Sequence, residues 1–216
     1  MHNIVDVFQK QFGFRTQGTL AFDIRAFVSP PDPDSHHNAK NLDTLPSELV
    51  HPLAVWMGSS PRIPNGSLAP RTGVIHKAIN HLGVSFKPAS QSYKDSNIVF
   101  SHLKTHTLVA ARIHHIFSIQ VHQAGGECNW YDLCAIRQFS TLSTEDVVKD
   151  VYQRFGAFSG WVCYEEEGDL DVIQLEDIQS HVAITPNVLL LIKASHIHVL
   201  PLDRVSNGFL SYFHLI

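Results

Sequence analysis

The chain has 216 residues, of which 44% are hydrophobic, and its formal net charge at pH 7 is -4. That apolar fraction is enough to build a core, so the composition excludes a wholly disordered protein. Lys and Arg total only 16 and form no dense basic run. Because neutralised phosphates supply most of the affinity of nucleic-acid binders, this charge argues against autonomous nucleic-acid binding.

The three cysteines, Cys128, Cys134 and Cys163, are an odd number with no disulfide-framework spacing. They are typical of free thiols in a reducing compartment. The N-terminus lacks the positive lead-in and apolar run of a signal peptide, and no run approaches the roughly 18 apolar residues of a membrane helix. We therefore expect an intracellular protein, in the nucleus or cytoplasm, with no membrane partner.

The first 72 residues read as an irregular, proline-rich extension. A short amphipathic helix is compatible with the apolar spacing of residues 4–12, but prolines 30, 31, 33, 46 and 52 then interrupt regular structure. "LAVWMG" is a brief apolar island within this stretch. The sequence predicts that residues 1–72 are poorly ordered, or ordered only by packing onto the later part of the chain.

Strand signals begin near Gly73. "GVSFKPASQSYKDSNIVF" holds two short β-rich runs with a bend at residues 94–97. "ARIHHIFSIQVHQ", which begins at Ala111, alternates as a long strand, and the alternation places His115 on one face with four apolar residues, Ile113, Phe117, Ile119 and Val121. "AGGEC" reads as the turn into a second strand over residues 129–139.

One helix is predicted in "STLSTEDVVKDVYQRFG", with Ser143 as N-cap, an apolar stripe from Val147 to Phe155, and Gly156 as the stop. Strands are predicted after it at residues 161–164, 170–175, 181–185 and 197–202, the first two joined as a hairpin by an acidic loop at 165–169. The expected fold is mainly β with one inserted helix. It is a small, strongly bent or partly closed barrel over residues 73–205, followed by an apolar tail at 206–216.

Histidine is abundant, with 15 in the chain, so a metal site is one interpretation. His114 and His122 lie about 26 Å apart along a strand at about 3.3 Å per residue, and cannot share an ion. One of the two, His114 or His122, could still converge with His196 and His198, and His114 is the candidate taken with that pair. The alternative is that these histidines are polar residues on exposed strand faces.

No nucleophile-elbow, P-loop or dinucleotide-binding pattern occurs in the sequence. We therefore expect a non-enzymatic protein without a cofactor. Trp130, Trp161 and Tyr164 are candidate partner-binding residues, because aromatic rings in a small barrel can form a cation–π cage for a methylated lysine. The alternative for these rings is ordinary core packing.

The order of these segments resembles the C-terminal region of proteins encoded by basidiomycete DNA transposons, of the Plavaka and related CACTA-like or Kyakuja-type groups. The segments are "GVSFKPASQSYKDSNIVF", "ARIHHIF", a helix ending in "YQRFG", "GWVCYEEEGDLDVIQLEDIQSHVAITP" and "HIHVLPLDR". More distantly, the series looks like a bromo-adjacent-homology barrel. That resemblance implies a protein or chromatin interaction module. The resemblance to transposon-encoded proteins does not extend to their catalytic nuclease.

The leading hypothesis is therefore an interaction module derived from a fungal transposon protein, with a protein partner, chromatin among the candidates. A metal-binding protein or enzyme using strand histidines is the first alternative. The second is a ubiquitin-like binding domain over residues 137–193. The two folds differ in whether "RIHHIFSIQV" shares a sheet with the later strands.

Overall fold

The computed structural model of the chain describes residues 42–61, 63, 67–81, 84–102, 105, 107–122, 128–152, 160–186 and 189–202. These contain helix α1 (Val50–Ser59), one-turn helix α2 (Thr144–Val147), and 3₁₀ turns at Ser47–Leu49 and Leu175–Asp177. The strands are β1 (Asp43–Thr44), β2 (Thr72–His76), β3 (Ile79–His81), β4 (Val84–Phe86), β5 (Asn97–Ser101), β6 (Leu108–His122), β7 (Cys128–Thr141), β8 (Trp161–Gln174), β9 (Ile178–Pro186) and β10 (His196–Pro201).

Six antiparallel strands close into a barrel. The strand order is β6-β5-β9-β10-β8-β7, and a further pairing of β6 with β7 joins the two ends. β2 and β1 extend the sheet beyond β6, while β3 and β4 form a separate hairpin. The prediction of a mainly β fold with a small barrel is confirmed, and closure removes the edges that six open strands would expose. Because β6 shares this sheet, the ubiquitin-like alternative is wrong.

The interior of the barrel is a cluster to which every barrel strand contributes. We call it the lumen cluster; its buried members are Val99, Ala110, Phe139, Cys163, Val182, Ile197 and Val199. Ile197 and Val199 of β10 are two residues apart and both lie in this cluster. Residues from six strands can meet in this way only if the sheet wraps around them.

A β-bulge at His114 interrupts the alternation of β6. Beyond the bulge, odd-numbered side chains point to the face that even-numbered side chains occupy before it. Ile113 pairs with Ile136 and His115 with Ala135, so His114 is an extra residue without an opposite number in β7. One extra residue exchanges the two faces of a strand beyond it. Ile113 and Phe117 therefore lie on opposite faces, and the prediction that they share one face is wrong.

Two further clusters lie on opposite faces of the sheet, since adjacent residues such as Ile116 and Phe117 of β6 belong to one and to the other. The hairpin cluster packs beneath β3 and β4 and contains Ile79, Phe86, Ile98, Phe100, Ala111, Ile113, Ile116, Cys134, Ile136, Ile173, Leu175 and Ile178. The helix cluster joins α1 to the long β6–β7–β8 portion, and its barrel members are Phe117, Ile119, Val121, Leu133, Ala135 and Val172. Gly73 of β2 lies against it, since a Cβ there would be 2.6 Å from the Ser118 carbonyl oxygen.

Helix α1 lies in a stretch for which the sequence predicted irregular structure. Leu53 and Trp56 are buried against the barrel, together with Leu49 at the start of the helix. Pro52 is accommodated because it lies in the first turn, where backbone N–H groups have no partner within the helix. The island "LAVWMG" is thus a helix stabilised by tertiary packing. The predictions for residues 1–41 lie outside the described residues.

The predicted helix after Ser143 is shorter than expected. Its cap is confirmed, since the Asp146 N–H donates to Ser143 Oγ at 3.2 Å, but α2 ends at Val147. Val148 is 78% exposed, so the predicted stripe is not buried there. The chain turns away because the Asp150 carboxylate accepts the backbone N–H groups of Tyr152 and Val162, which ties it to β8. Residues 153–159 lie outside the described residues.

β8 is one strand of 14 residues, not the predicted hairpin. Its first residues pair with β10 and its last residues pair with β7, with register shifts between. The acidic run, Glu165 to Asp169, is therefore extended. Within it, Glu167 forms an ion pair with Arg112 and contacts His114 Nε2 at 2.9 Å. No helix in the described residues is long and apolar enough to span a membrane. The predicted tail at 206–216 is not described.

Candidate binding cleft

A cleft of about 240 Å³ opens on the face of the sheet that carries the hairpin cluster. The end of β3, the beginning of β7, and the junction of β8 with the second 3₁₀ turn form its walls. Its lining residues are His81, Trp130, Tyr131, Asp132, Gln174, Leu175 and Glu176. One indole, two carboxylates, an imidazole and an amide thus converge from three segments that are distant in sequence.

The Asp132 carboxylate is oriented by a polar chain across three neighbouring strands. Ser118 Oγ donates to Asp132 Oδ1 at 2.5 Å, and His76 Nε2 lies 2.6 Å from the same hydroxyl. Ser118 pairs directly with Asp132 in the β6–β7 ladder and is fully buried. A charge-assisted hydrogen bond from a buried hydroxyl fixes the rotamer of the carboxylate at the cleft.

Glu176 lines the cleft from a 3₁₀ turn that is itself capped. The Gln174 N–H donates to Asp177 Oδ2 at 3.2 Å, and the Gln174 side chain accepts from the Asp177 N–H in return. Leu175, between them, is buried in the hairpin cluster. The backbone of the turn is therefore anchored at both ends, and the exposed Glu176 side chain projects from it.

His81 is the titratable wall of the cleft. Burial lowers its pKa below the usual 6.5, and the negative charges of Glu176 and Asp132 oppose that shift without reversing it. The imidazole is consequently neutral at pH 7. With two carboxylates and a neutral histidine, the side chains lining the cleft carry net negative charge near neutral pH.

The His76–Ser118–Asp132 chain contains the residue types of a serine hydrolase in a different order. In a catalytic triad the histidine lies between the serine and the carboxylate, where it can take the serine proton. Here the serine lies in the middle, and its hydroxyl is at 0% exposure. The arrangement orients a carboxylate and does not activate a nucleophile.

Only one of the three predicted aromatic residues reaches the cleft. Trp130 lines it, whereas Trp161 packs against the lumen cluster. Tyr164 donates its hydroxyl to Asp146 Oδ2 at 2.7 Å, beside the one-turn helix α2. The three rings lie on different parts of the barrel, so the aromatic cage predicted from Trp130, Trp161 and Tyr164 is not assembled.

The histidines proposed as metal ligands are also separated. In the barrel ring β10, which carries His196 and His198, is three strands away from the β6 strand of His114 in either direction. His196 is buried and accepts the Leu189 N–H, and His198 stacks on Tyr152 at 4.0 Å between ring centroids. No group of three or more metal-ligating side chains occurs in the part of the chain that the structure describes.

His115, which the alternation left as an anomaly on an apolar face, has a partner outside the barrel. Its Nε2 lies 2.6 Å from Glu48 Oε1 in the 3₁₀ turn before α1. This pair links the 3₁₀ turn before α1 to the middle of β6. The histidine-rich stretch is therefore a barrel strand whose two adjacent histidines contact different carboxylates, Glu167 and Glu48.

Sequence reasoning missed Asp132, His81 and Glu176. Trp130 and Asp132 are two residues apart in a predicted strand, and that spacing alone indicates that they share a face. His81 and Glu176 gave no such signal, because the folding of β3 and the 3₁₀ turn onto β7 brings them there.

The chain thus forms a closed six-stranded β-barrel, and an acidic, partly aromatic cleft lies beside its β-hairpin. A scan against protein-family models and searches of curated proteins and of solved structures each gave no match.

Proposed function

We propose that this chain is a non-enzymatic protein-interaction module that binds a basic side chain of its partner in the cleft. The observation that carries the proposal is the convergence of Trp130, Asp132 and Glu176 on one cleft. Carboxylates in a concave site attract cations, and an indole face adds cation–π attraction. A basic protein tail, such as that of a histone, has the matching chemistry.

The preformed geometry of the cleft supports binding. The buried Ser118 hydroxyl fixes the Asp132 carboxylate before a ligand enters, and the capped 3₁₀ turn fixes the backbone from which Glu176 lines the cleft. The resemblance to transposon-encoded proteins and to chromatin-binding barrels points to the same partner class, and the proposal stands without it.

A titration of the chain with a fluorescein-labelled basic peptide tests the proposal. We expect saturable binding with a micromolar Kd that weakens as salt is raised, since exposed charges are screened. Glu176→Gln removes one cleft charge, and Trp130→Ala removes the ring. We expect each to weaken binding by roughly 3- to 30-fold, the range that about 0.7–2 kcal/mol represents.

Glu166→Gln is the matched control, because Glu166 is an exposed carboxylate on β8 outside the cleft. It changes the net charge by the same amount as Glu176→Gln and should leave the Kd within about twofold, as expected for a surface charge. Equal losses in the two Glu→Gln variants would mean that the peptide responds only to overall charge. That result, or no binding by the wild-type chain, would reject the cleft as the binding site.

A further inference from the structure

On the basis of the proposed function, the residues that line the cleft also indicate which kind of basic side chain it binds. Its walls offer oxygen acceptors and a single indole ring. Tyr131 contributes to the lining, but its ring packs edge-on against Trp56 of α1, with 6.0 Å between ring centroids. A quaternary ammonium group is bound by several aromatic faces around it and donates no hydrogen bond. The cleft therefore has too few rings for a trimethylated lysine and carries acceptors that such a group cannot use.

A guanidinium group matches the same walls. It is planar, stacks on an aromatic face, and presents five N–H donors in a fixed fork that fits a carboxylate in bidentate fashion. Asp132 and Trp130 lie two residues apart on one face of β7, so one group could contact both. Glu176 also lines the cleft, from the 3₁₀ turn after β8, and would accept from a second edge of the fork.

The remaining polar groups are compatible with a cation. His81 is neutral at pH 7 because burial lowers its pKa, so it adds no repulsion. The Gln174 side chain is almost fully buried, accepts the Asp177 N–H and carries no charge, so it adds no repulsion either. Lysine would be attracted by the same charges, but its ammonium group is a compact, strongly hydrated point charge that gains less from a ring and a fork-shaped acceptor.

We infer that the cleft recognises an arginine side chain of the partner, in preference to lysine and to trimethylated lysine, through stacking on Trp130 and hydrogen bonds to Asp132 and Glu176. Because the three side chains carry the same charge, selectivity among them would arise from stacking and hydrogen-bond geometry, while charge contributes to the affinity of all three. Citrulline, the neutral analogue of arginine, separates the two contributions, since it keeps the planar shape and loses the charge.

Isothermal titration of the full chain with four peptides of one sequence tests this inference. The peptides differ only at a central residue, which is arginine, lysine, trimethyllysine or citrulline. We expect the arginine peptide to bind about tenfold more tightly than the lysine peptide, with the trimethyllysine and citrulline peptides weaker still. In Trp130→Ala and Glu176→Gln the preference for arginine over lysine should shrink to less than about threefold, while Glu166→Gln should preserve it.

The outcomes separate the inference from the proposed function. If the trimethyllysine or lysine peptide binds as tightly as the arginine peptide, and that binding is lost in Trp130→Ala, the arginine preference is overturned and the cleft remains a site for basic side chains. If none of the peptides binds, or if binding is unchanged in both cleft variants, the proposed function fails together with the inference. A far-ultraviolet circular dichroism spectrum equal to that of wild type establishes that each variant is folded.

Discussion

Gly160, at the start of β8, is the position where a single methyl group should damage the barrel most. Its φ is +73°, in the left-handed region that favours glycine. A Cβ at this position would lie 1.9 Å from the carbonyl oxygen of Val199 and 2.9 Å from its carbonyl carbon. Val199 is on β10 and pairs with Trp161, the next residue after Gly160. Because the obstructing atoms are backbone, no side-chain rotation can relieve the overlap.

The expected loss of stability in Gly160→Ala has two parts. A left-handed backbone conformation costs an L-residue about 1–2 kcal/mol. Moving β10 away from β8 also weakens one or two ladder hydrogen bonds, each contributing about 0.5–1.5 kcal/mol. The free energy of unfolding should therefore fall by about 1.5–5 kcal/mol.

Urea denaturation followed by tryptophan fluorescence measures this loss, and two other glycines supply controls. Gly168→Ala places a Cβ 3.6 Å from the nearest atom, the Gln138 oxygen, and should be neutral within about 0.5 kcal/mol. Gly58 lies in α1 with nothing within 4 Å of a built Cβ, so Gly58→Ala should stabilise by about 0.5–1 kcal/mol. A Gly160→Ala midpoint no lower than that of Gly168→Ala would refute the closure of the barrel at β8 and β10 as described.

Three further predictions concern buried and exposed groups. In native buffer only Cys128 should react rapidly with a thiol reagent, because it is the exposed thiol. Burial raises the pKa of Cys163 to about 11 and that of Cys134 further still, so neither forms the reactive thiolate readily. Rapid reaction of a second thiol before unfolding would contradict this. Folding lowers the pKa of His81, so the unfolded chain binds this proton more readily and the stability should fall as pH drops below about 6.5. His81→Asn should flatten the pH dependence of the urea midpoint between pH 7.5 and 5.5. An unchanged slope would count against the burial of this ring. The buried Trp56 Nε1 has no hydrogen-bond partner in the described structure, so Trp56→Phe should lower the free energy of unfolding by less than about 1 kcal/mol. Trp56→Ala, which removes the whole ring, should lower it by about 3–5 kcal/mol. Equal losses of stability in the two variants would show that the indole N–H is satisfied.

Much of the barrel follows from local pattern. The alternation of β6 and the turn before β7 specify a long hairpin, and the Ser143 cap is specified by its own sequence. These signals are local, because each depends on residues within one element or one turn. They were sufficient to predict a mainly β fold with a small barrel.

The bulge at His114 could not be predicted from the local sequence pattern. An alternating strand and a bulged strand have the same composition, and only pairing with β7 reveals that one residue is extra. The face assignment of Ile113 was wrong for this reason. Helix α1 likewise has no N-cap residue that could be recognised in the sequence. It forms because Leu53 and Trp56 pack against apolar residues of β6 and β7.

The binding cleft is a property of the tertiary structure. The sequence by itself determined the charge, the free thiols, the strand pattern and the presence of Trp130 and Asp132 on one strand face. Only the tertiary structure decided that β3 and the turn after β8 bring His81 and Glu176 to that face. It also decided that His114 faces a carboxylate across the barrel from His196 and His198. The physical reason is that strand periodicity fixes which side a residue faces, whereas the order of strands around a barrel fixes which residues meet.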